Sequence, residues 1–109
     1  MKEYLTNKEL KTLGFFKIGK NCKISCNIRC YSLKGSLGDN VRIDDDVVLK
    51  GKIYLKNNVH IARGCTFSGG RNTKIYCDDF AALSNFVQIF AASDDYVEPN
   101  VPGATLDNV

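Results

Sequence analysis

The stretch from Leu37 to Phe67 repeats with a period of six residues, and this period constrains the fold more than any other feature of the chain. An aliphatic or aromatic residue returns at every sixth position, at Leu37, Ile43, Leu49, Leu55, Ile61 and Phe67. Four residues after most of these lies a small or β-branched residue, giving Val41, Val47, Ile53, Val59 and Cys65. Neither the helical period nor the strand period alone gives this spacing. Three short strands joined by tight corners do, so stacked turns of three hexapeptides predict a parallel β-helix.

The residues before the repeat carry a helix signal. Thr6 followed three places later by Glu9 is the pattern of a capping box, and Gly14 suits the position after the last helical turn. The sequence therefore predicts a short helix from Asn7 to Leu13. A solenoid exposes its core at the ends unless something covers it, and we expect the lower end to be closed by Leu10, Leu13, Phe15 and Phe16.

The repeat contains two irregularities. From Ile18 to Leu37 the chain has one residue more than three hexads, and the expected place for it is the Lys34-Gly35-Ser36 corner. After Phe67, the glycine-rich residues 68–72 interrupt the repeat by about two residues. A fourth coil then resumes, with the aliphatic places predicted at Ile75, Ala81 and Val87.

These observations predict an all-β protein with a short capping helix and about four coils. Residues 1–16 form the capping segment, residues 17–92 form the β-helix, and residues 93–109 form a loop that leaves it, with a possible start of a further coil. Asp and Asn pairs fall at the corners between hexads, where left-handed dihedrals are tolerated. The acidic residues 44–46 are accordingly interpreted as a corner rather than a metal site.

Composition excludes several classes of protein. The chain has 44% hydrophobic and 25% charged residues, no run long enough to span a bilayer, and no signal-peptide pattern, which predicts a cytoplasmic protein. The chain has five cysteines, and this odd number argues against a disulfide framework. The hexad register makes Cys22, Cys26 and Cys30 diverge, so no metal site is expected. All fifteen Lys and Arg lie in residues 1–74, interspersed along the coils, so nucleic acid is not an expected partner.

The hexads IGKNCK, LGDNVR, LKNNVH and IARGCT resemble the hexapeptide repeat of left-handed β-helix acyltransferases. The capped start and the segment SNFVQIFAASDDY are similar to the sugar O-acetyltransferases among them, of the galactoside and cell-surface polysaccharide type. The resemblance implies a left-handed β-helix. It covers nearly all of this chain and about the first half of such an enzyme. We therefore expect this chain to be the N-terminal portion of a longer protein, and the sequence leaves open whether this portion is active by itself.

By this resemblance, the protein would be a homotrimer that transfers an acetyl group from acetyl-CoA to a hydroxyl of a sugar or polysaccharide precursor. A hydroxyl needs a general base, which the family usually supplies as a histidine in the loop that matches residues 92–100. Here Asp94 and Asp95 occupy that loop and become the candidate catalytic residues. Asn85 and Tyr96 are candidates for acceptor binding, and the residues that hold the cofactor are not identified.

Two interpretations remain beside this one. His60, the only histidine, is a second catalytic candidate, although a surface histidine at a corner is the simpler interpretation. The whole chain could instead be a noncatalytic β-helix module for oligomerisation or binding. A β-helical carbonic anhydrase would need three zinc-binding histidines, and the single histidine of this chain argues against it.

Overall fold

The chain folds as a parallel β-helix whose lower end is closed by one helix. The computed structural model describes residues 2–70 and 72–91. The helix α1 spans Asn7–Leu13. The strands are β1 Phe15–Ile18, β2 Lys23–Ile24, β3 Ile28–Leu37, β4 Arg42–Ile43, β5 Val47–Leu55, β6 His60–Ile61, β7 Thr66–Ser68, β8 Lys74–Cys77, β9 Ala82–Leu83 and β10 Gln88–Phe90. No helix among the described residues is long and apolar enough to cross a membrane.

Stacking of equivalent strands gives the coil three faces. The first face contains β1, residues 34–37, residues 52–55 and β8. The second face contains β2, β4, β6 and β9. The third face contains residues 28–31, residues 47–50, β7 and β10. All these pairings are parallel, so each residue lies above its equivalent in the coil below.

The inward residues of the repeat fill one continuous core. The six aliphatic or aromatic places from Leu37 to Phe67 are at most 2% exposed. Such a column removes nearly all of its apolar surface from water and provides the main stabilisation of the coil. Asn40, Asp46 and Asn58 have φ values of 57°, 61° and 59°, which confirms their predicted corner positions.

Helix α1 has the bounds and the cap that the sequence predicts. The Thr6 side chain accepts a hydrogen bond from the Glu9 amide, and the Glu9 carboxylate accepts one from the Thr6 amide. Leu10 and Phe15 are buried beneath the first coil. The prediction for Phe16 is wrong, because its side chain is 60% exposed on the first face, where it contacts Tyr54 edge to face.

The first irregularity lies earlier than predicted. Residues 32–33 face the single residue Gly51, and pairing resumes at Lys34. Ser32 takes a left-handed φ of 50° there. The Lys34-Gly35-Ser36 segment belongs instead to a regular strand, in which Gly35 is buried.

The second irregularity is larger than predicted and shifts the fourth coil. Residues 69–73 face Gly51, so the insertion has four extra residues rather than about two. Cys77 pairs with Leu55, so Cys77 and not Ile75 holds the aliphatic place. The same offset continues around the coil, where Leu83 pairs with Ile61 and Ile89 with Phe67 in place of the predicted Ala81 and Val87.

Candidate functional site

The second face carries a column of outward side chains at the level of the middle coils. Lys23, Arg42, His60 and Ala82 stack in that order, because β2, β4, β6 and β9 pair in register. Successive side chains of a strand point to opposite sides. Since Ile43 and Ile61 point into the core, Arg42 and His60 point to solvent, and Asp44 emerges beside them at the end of β4.

These positions bring a histidine, a carboxylate and a guanidinium together. The Nε2 atom of His60 lies 2.9 Å from Oδ2 of Asp44. Arg42 donates from Nε to the other oxygen, Oδ1, at 2.9 Å. The side chains of Asp44 and His60 are 27% and 44% exposed. The structure therefore places His60 in a hydrogen-bonded cluster on a strand, not alone at a corner.

The charge state of Asp44 fixes the tautomer of His60. Partial burial disfavours the charged carboxylate, but the hydrogen bonds from His60 and Arg42 outweigh it and lower the pKa of Asp44 below its ordinary value. An ionised carboxylate can only accept hydrogen bonds, so Nε2 carries the proton. The lone pair of the neutral imidazole is then on Nδ1. This arrangement suits a general base, in which one nitrogen is held by a carboxylate and the other takes a proton.

Asn85 lies one coil above this cluster. It follows β9 by two residues, at the corner where the chain leaves the second face, and its side chain is exposed. Below it, at the same corner, Arg63 pairs with Asp46 at 3.2 Å. Asn85 is thus on the side of the coil that carries His60.

The other three predicted site residues, Asp94, Asp95 and Tyr96, lie outside the described residues. Their roles stay predictions. Sequence reasoning missed Arg42, which was counted only among the basic residues interspersed along the coils, and Asp44, which was assigned to a corner. The signal was available, because a coil length of eighteen residues places His60 directly above Arg42 and close to Asp44, which lies two residues after Arg42 on the same face.

Two of the five cysteines, Cys30 and Cys77, are poorly suited to nucleophilic chemistry. All five are free thiols. Burial raises the pKa of Cys30 and Cys77 to about 11, and a thiol must ionise to act as a nucleophile. Within residues 2–70 and 72–91, no three His, Cys, Asp or Glu side chains are grouped so that they could hold a metal ion.

The upper end of the described coils is an open apolar groove of about 1080 Å³. Its lining includes the inward residues of the fourth coil, Ile75, Cys77, Leu83, Val87 and Ile89. We interpret it as the uncovered end of the core rather than as a substrate pocket, since these are the positions that a further coil would cover.

Comparison with known proteins finds that the chain is similar to acyltransferases. No family model matches the chain. It is 35% identical over 97 residues to the Escherichia coli dTDP-4-amino-4,6-dideoxy-D-glucose acyltransferase, a match that covers 85% of this chain and 50% of the relative. The chain therefore spans about half the length of that enzyme.

Two solved structures have the same fold. Both are mutants of AntD, an N-acyltransferase from Bacillus cereus. One is in complex with dTDP-4-amino-4,6-dideoxyglucose and coenzyme A; it has a TM-score of 0.73 and 34% identity and covers 95% of this chain and 58% of that chain. The other, with dTDP and coenzyme A, has a TM-score of 0.70 and 33% identity and covers 94% and 57%. The predicted left-handed β-helix with a short helix is confirmed.

Proposed function

We propose that this chain, a relative of the hexapeptide-repeat sugar acyltransferases, forms part of an enzyme that transfers an acyl group from an acyl-CoA donor to a sugar. The observation that carries the proposal is the likeness at 34–35% identity, over 85% of the chain or more, to a sugar acyltransferase and to an N-acyltransferase. Acetyl-CoA is the donor expected from the hexapeptide resemblance.

The acceptor group is proposed to be an amine. The E. coli relative is named for a 4-amino-4,6-dideoxy sugar, and the first AntD complex contains the same kind of sugar nucleotide. A neutral amine is a stronger nucleophile than a hydroxyl, but at neutral pH most of it is protonated and must lose that proton. The second candidate is a hydroxyl of a galactoside or polysaccharide precursor, which the hexad resemblance favours.

His60 is proposed to remove the acceptor's proton. Its Nε2 is held by Asp44 at 2.9 Å, which leaves Nδ1 as the basic nitrogen. Asp44 would then be a positioning residue, and Arg42 would keep its carboxylate charged. Asn85 and Tyr96 are proposed to contact the acceptor, and Asp94 and Asp95 to share in catalysis or acceptor binding.

The assembly is proposed to be a cytoplasmic homotrimer. Free thiols at all five cysteines agree with a reducing compartment. The noncatalytic β-helix module is the alternative, and it predicts no turnover with any donor or acceptor.

A matched pair of acceptors tests the reaction. The protein would be incubated with acetyl-CoA and either dTDP-4-amino-4,6-dideoxyglucose or dTDP-6-deoxyglucose, which carries a hydroxyl at the same carbon. Mass spectrometry of the nucleotide sugar should show one added acetyl group on the amine substrate. Product only from the hydroxyl compound would favour the second candidate. Product from neither is the result expected both for the noncatalytic module and for an N-terminal portion that is inactive by itself.

The role of His60 is tested by substitution. His60→Gln should lower kcat by about 10²- to 10⁴-fold, the usual contribution of a general base, and should change the pH profile of the rate. Asp44→Asn should lower kcat less and leave KM near its wild-type value. Lys23→Gln, a change in the same outward column, serves as the control. Wild-type kcat in His60→Gln would reject the assignment.

A further inference from the structure

The outer side of the first face carries lysines and aromatic rings next to each other. Each of its four strand segments contributes one lysine, and these are Lys17, Lys34, Lys52 and Lys74. The rings in contact along the same face are those of Phe16, Tyr54 and Tyr76. Phe16 and Tyr76 are largely exposed. We call these four lysines and three rings the basic face.

The lysines of the basic face are stacked without a carboxylate between them. Lys34 pairs with Lys52 and Lys52 with Lys74 in the parallel ladder, whose strands lie about 4.8 Å apart. Like charges at opposed positions of a sheet are destabilising. Within the part of the chain that the structure describes, none of the four lysines forms an ion pair. Residues 10–38 and 47–77 contain no Asp or Glu. An anion from outside these coils would therefore relieve the repulsion.

The rings of the basic face are stacked along the same ladder. Tyr54 and Tyr76 have their centroids 5.1 Å apart and their planes at 21°, and the Phe16 ring meets Tyr54 edge to face. The Nζ atom of Lys74 lies 5.9 Å from the centroid of the Tyr54 ring. The ring faces that the two tyrosines turn to each other are not available to a nucleobase, which binds by stacking on a free face. Rings stacked in this way direct their edges away from the sheet.

The shape and chemistry of the basic face together indicate one kind of partner. Sites for small molecules are concave, whereas the outer side of a strand ladder is flat. The surface of a membrane with anionic lipids is also flat, and it attracts each lysine that comes close to it. Tyrosine is enriched at the level of lipid headgroups, because its ring is apolar and its hydroxyl is polar. Single-stranded nucleic acid would match the charge but not the stacked rings.

We propose that the basic face docks this protein on the surface of a membrane that contains anionic lipids. Lys34, Lys52 and Lys74 contact the lipid phosphates, and the exposed ring of Tyr76 enters the headgroup region. Docking of this kind is peripheral and needs no membrane-spanning helix. The proposal does not rest on the proposed reaction, because His60 lies on the second face.

Binding to vesicles tests the proposal. The protein would be sedimented with vesicles of phosphatidylcholine alone or of phosphatidylcholine mixed with phosphatidylglycerol. It should bind only the anionic vesicles, and more weakly as salt screens the charges. The triple variant Lys34→Gln, Lys52→Gln, Lys74→Gln should bind them about a hundredfold more weakly, since each lysine near an anionic surface contributes about fivefold. Tyr76→Ser, a second and independent variant, should lower the affinity by a smaller factor.

The matched control is the triple variant Lys8→Gln, Lys11→Gln, Lys23→Gln. It loses the same net charge from helix α1 and the second face, and it should bind nearly as the wild type does. The melting temperature of the basic-face variant should be no lower than that of the wild type, because substitution removes a repulsion. This measurement separates lost binding from lost folding.

Four results would overturn the proposal. They are equal losses of binding in the two triple variants, unchanged binding of the basic-face variant, equal binding of the wild type to neutral and anionic vesicles, and no binding of the wild type to either. Wild-type binding to single-stranded DNA in the absence of vesicle binding would replace the lipid by a nucleic acid. Acyl transfer is measured separately, so its failure would leave the vesicle result intact.

Discussion

Gly35 shows how closely neighbouring coils approach each other. It is buried in β3, and a Cβ built there would lie 1.7 Å from the carbonyl oxygen of Ile53 in the next coil. The atoms that this Cβ would meet belong to the Ile53 backbone, which cannot move aside as a flexible side chain can. The absence of a side chain at this position is therefore a condition for the stacking of β3 on β5.

Gly35→Ala should destabilise the protein by about 1–3 kcal/mol, the usual cost of overpacking. Gly69→Ala is the matched control, because its Cβ would meet its nearest neighbour, the Lys50 carbonyl oxygen, at an ordinary 3.4 Å. Alanine there should be neutral or stabilise by about 0.4–1 kcal/mol through the unfolded state. Urea denaturation of both variants gives the comparison. Equal stabilities would contradict the close approach.

The site shows where sequence reasoning stops at the residue scale. The hexad period places His60 above Arg42, and that much follows from counting. The hydrogen bond to Asp44 joins residues 16 apart, a diagonal across two strands that depends on side-chain direction. Asp44 also begins an acidic triplet at a corner, and a turn explains such a triplet without invoking any partner. The roles of Asp94 and Asp95 stay predictions.

The capping box of α1 is the element most fully determined by local sequence. Thr6 and Glu9 satisfy each other's backbone amides, and Lys2 pairs with the Glu9 carboxylate. The hydrogen bond from Lys2, followed by the one from the Thr6 amide, lowers the pKa of Glu9 to about 2 from an ordinary 4.5. Both contacts favour the charged form of the carboxylate, so the cap depends on pH.

Glu9→Gln should lower the melting temperature at neutral pH, and the difference from the wild type should vanish in acid. A carboxylate whose pKa is depressed on folding contributes stability above its unfolded pKa, which is lost as pH falls through the folded value. The stability contributed by the charged Glu9 carboxylate should therefore be lost between about pH 4.5 and about pH 2. Thermal melts from pH 7 to pH 2 measure it, with Glu3→Gln as the control. A pH-independent difference would argue against the cap.

The fourth coil shows the limit of periodicity at the element scale. A hexad has two inward places, and after the insertion both of them are occupied by apolar residues. Ile75, Ala81 and Val87 form one series with a period of six, and Cys77, Leu83 and Ile89 form another. Composition cannot choose between the two series. Pairing with Leu55, Ile61 and Phe67 does, because each coil must continue the ladder of the coil below.

At the scale of the whole molecule, stability should vary with height along the stack. A solenoid residue contacts only its own coil and the two adjacent ones. Ile53 is fully buried with Gly35 and Ile75 as its neighbours in the ladder, whereas Ile89 is partly exposed at the open groove. The same truncation should therefore destabilise the protein less in the fourth coil than in a middle coil.

Ile53→Ala should cost about 2–5 kcal/mol, as expected for a buried isoleucine. Ile89→Ala should cost clearly less, because part of its side chain is already in water. The measurement is urea denaturation at a dilution where the protein is monomeric. Equal losses would mean that a covering segment buries Ile89 as fully as a middle coil buries Ile53.

At the corner between the first and second faces, the side-chain hydrogen bonds between coils all run in the same direction along the stack. The Lys20 amide donates to the Asp39 side chain, the Asp39 amide to that of Asn57, and the Asn57 amide to that of Asp79. Each of these amides thus depends on a side chain 18 to 22 residues later in the sequence. On the ribosome, a coil cannot complete its corner until the next coil has emerged. Folding during synthesis should therefore trail the growing chain by one coil.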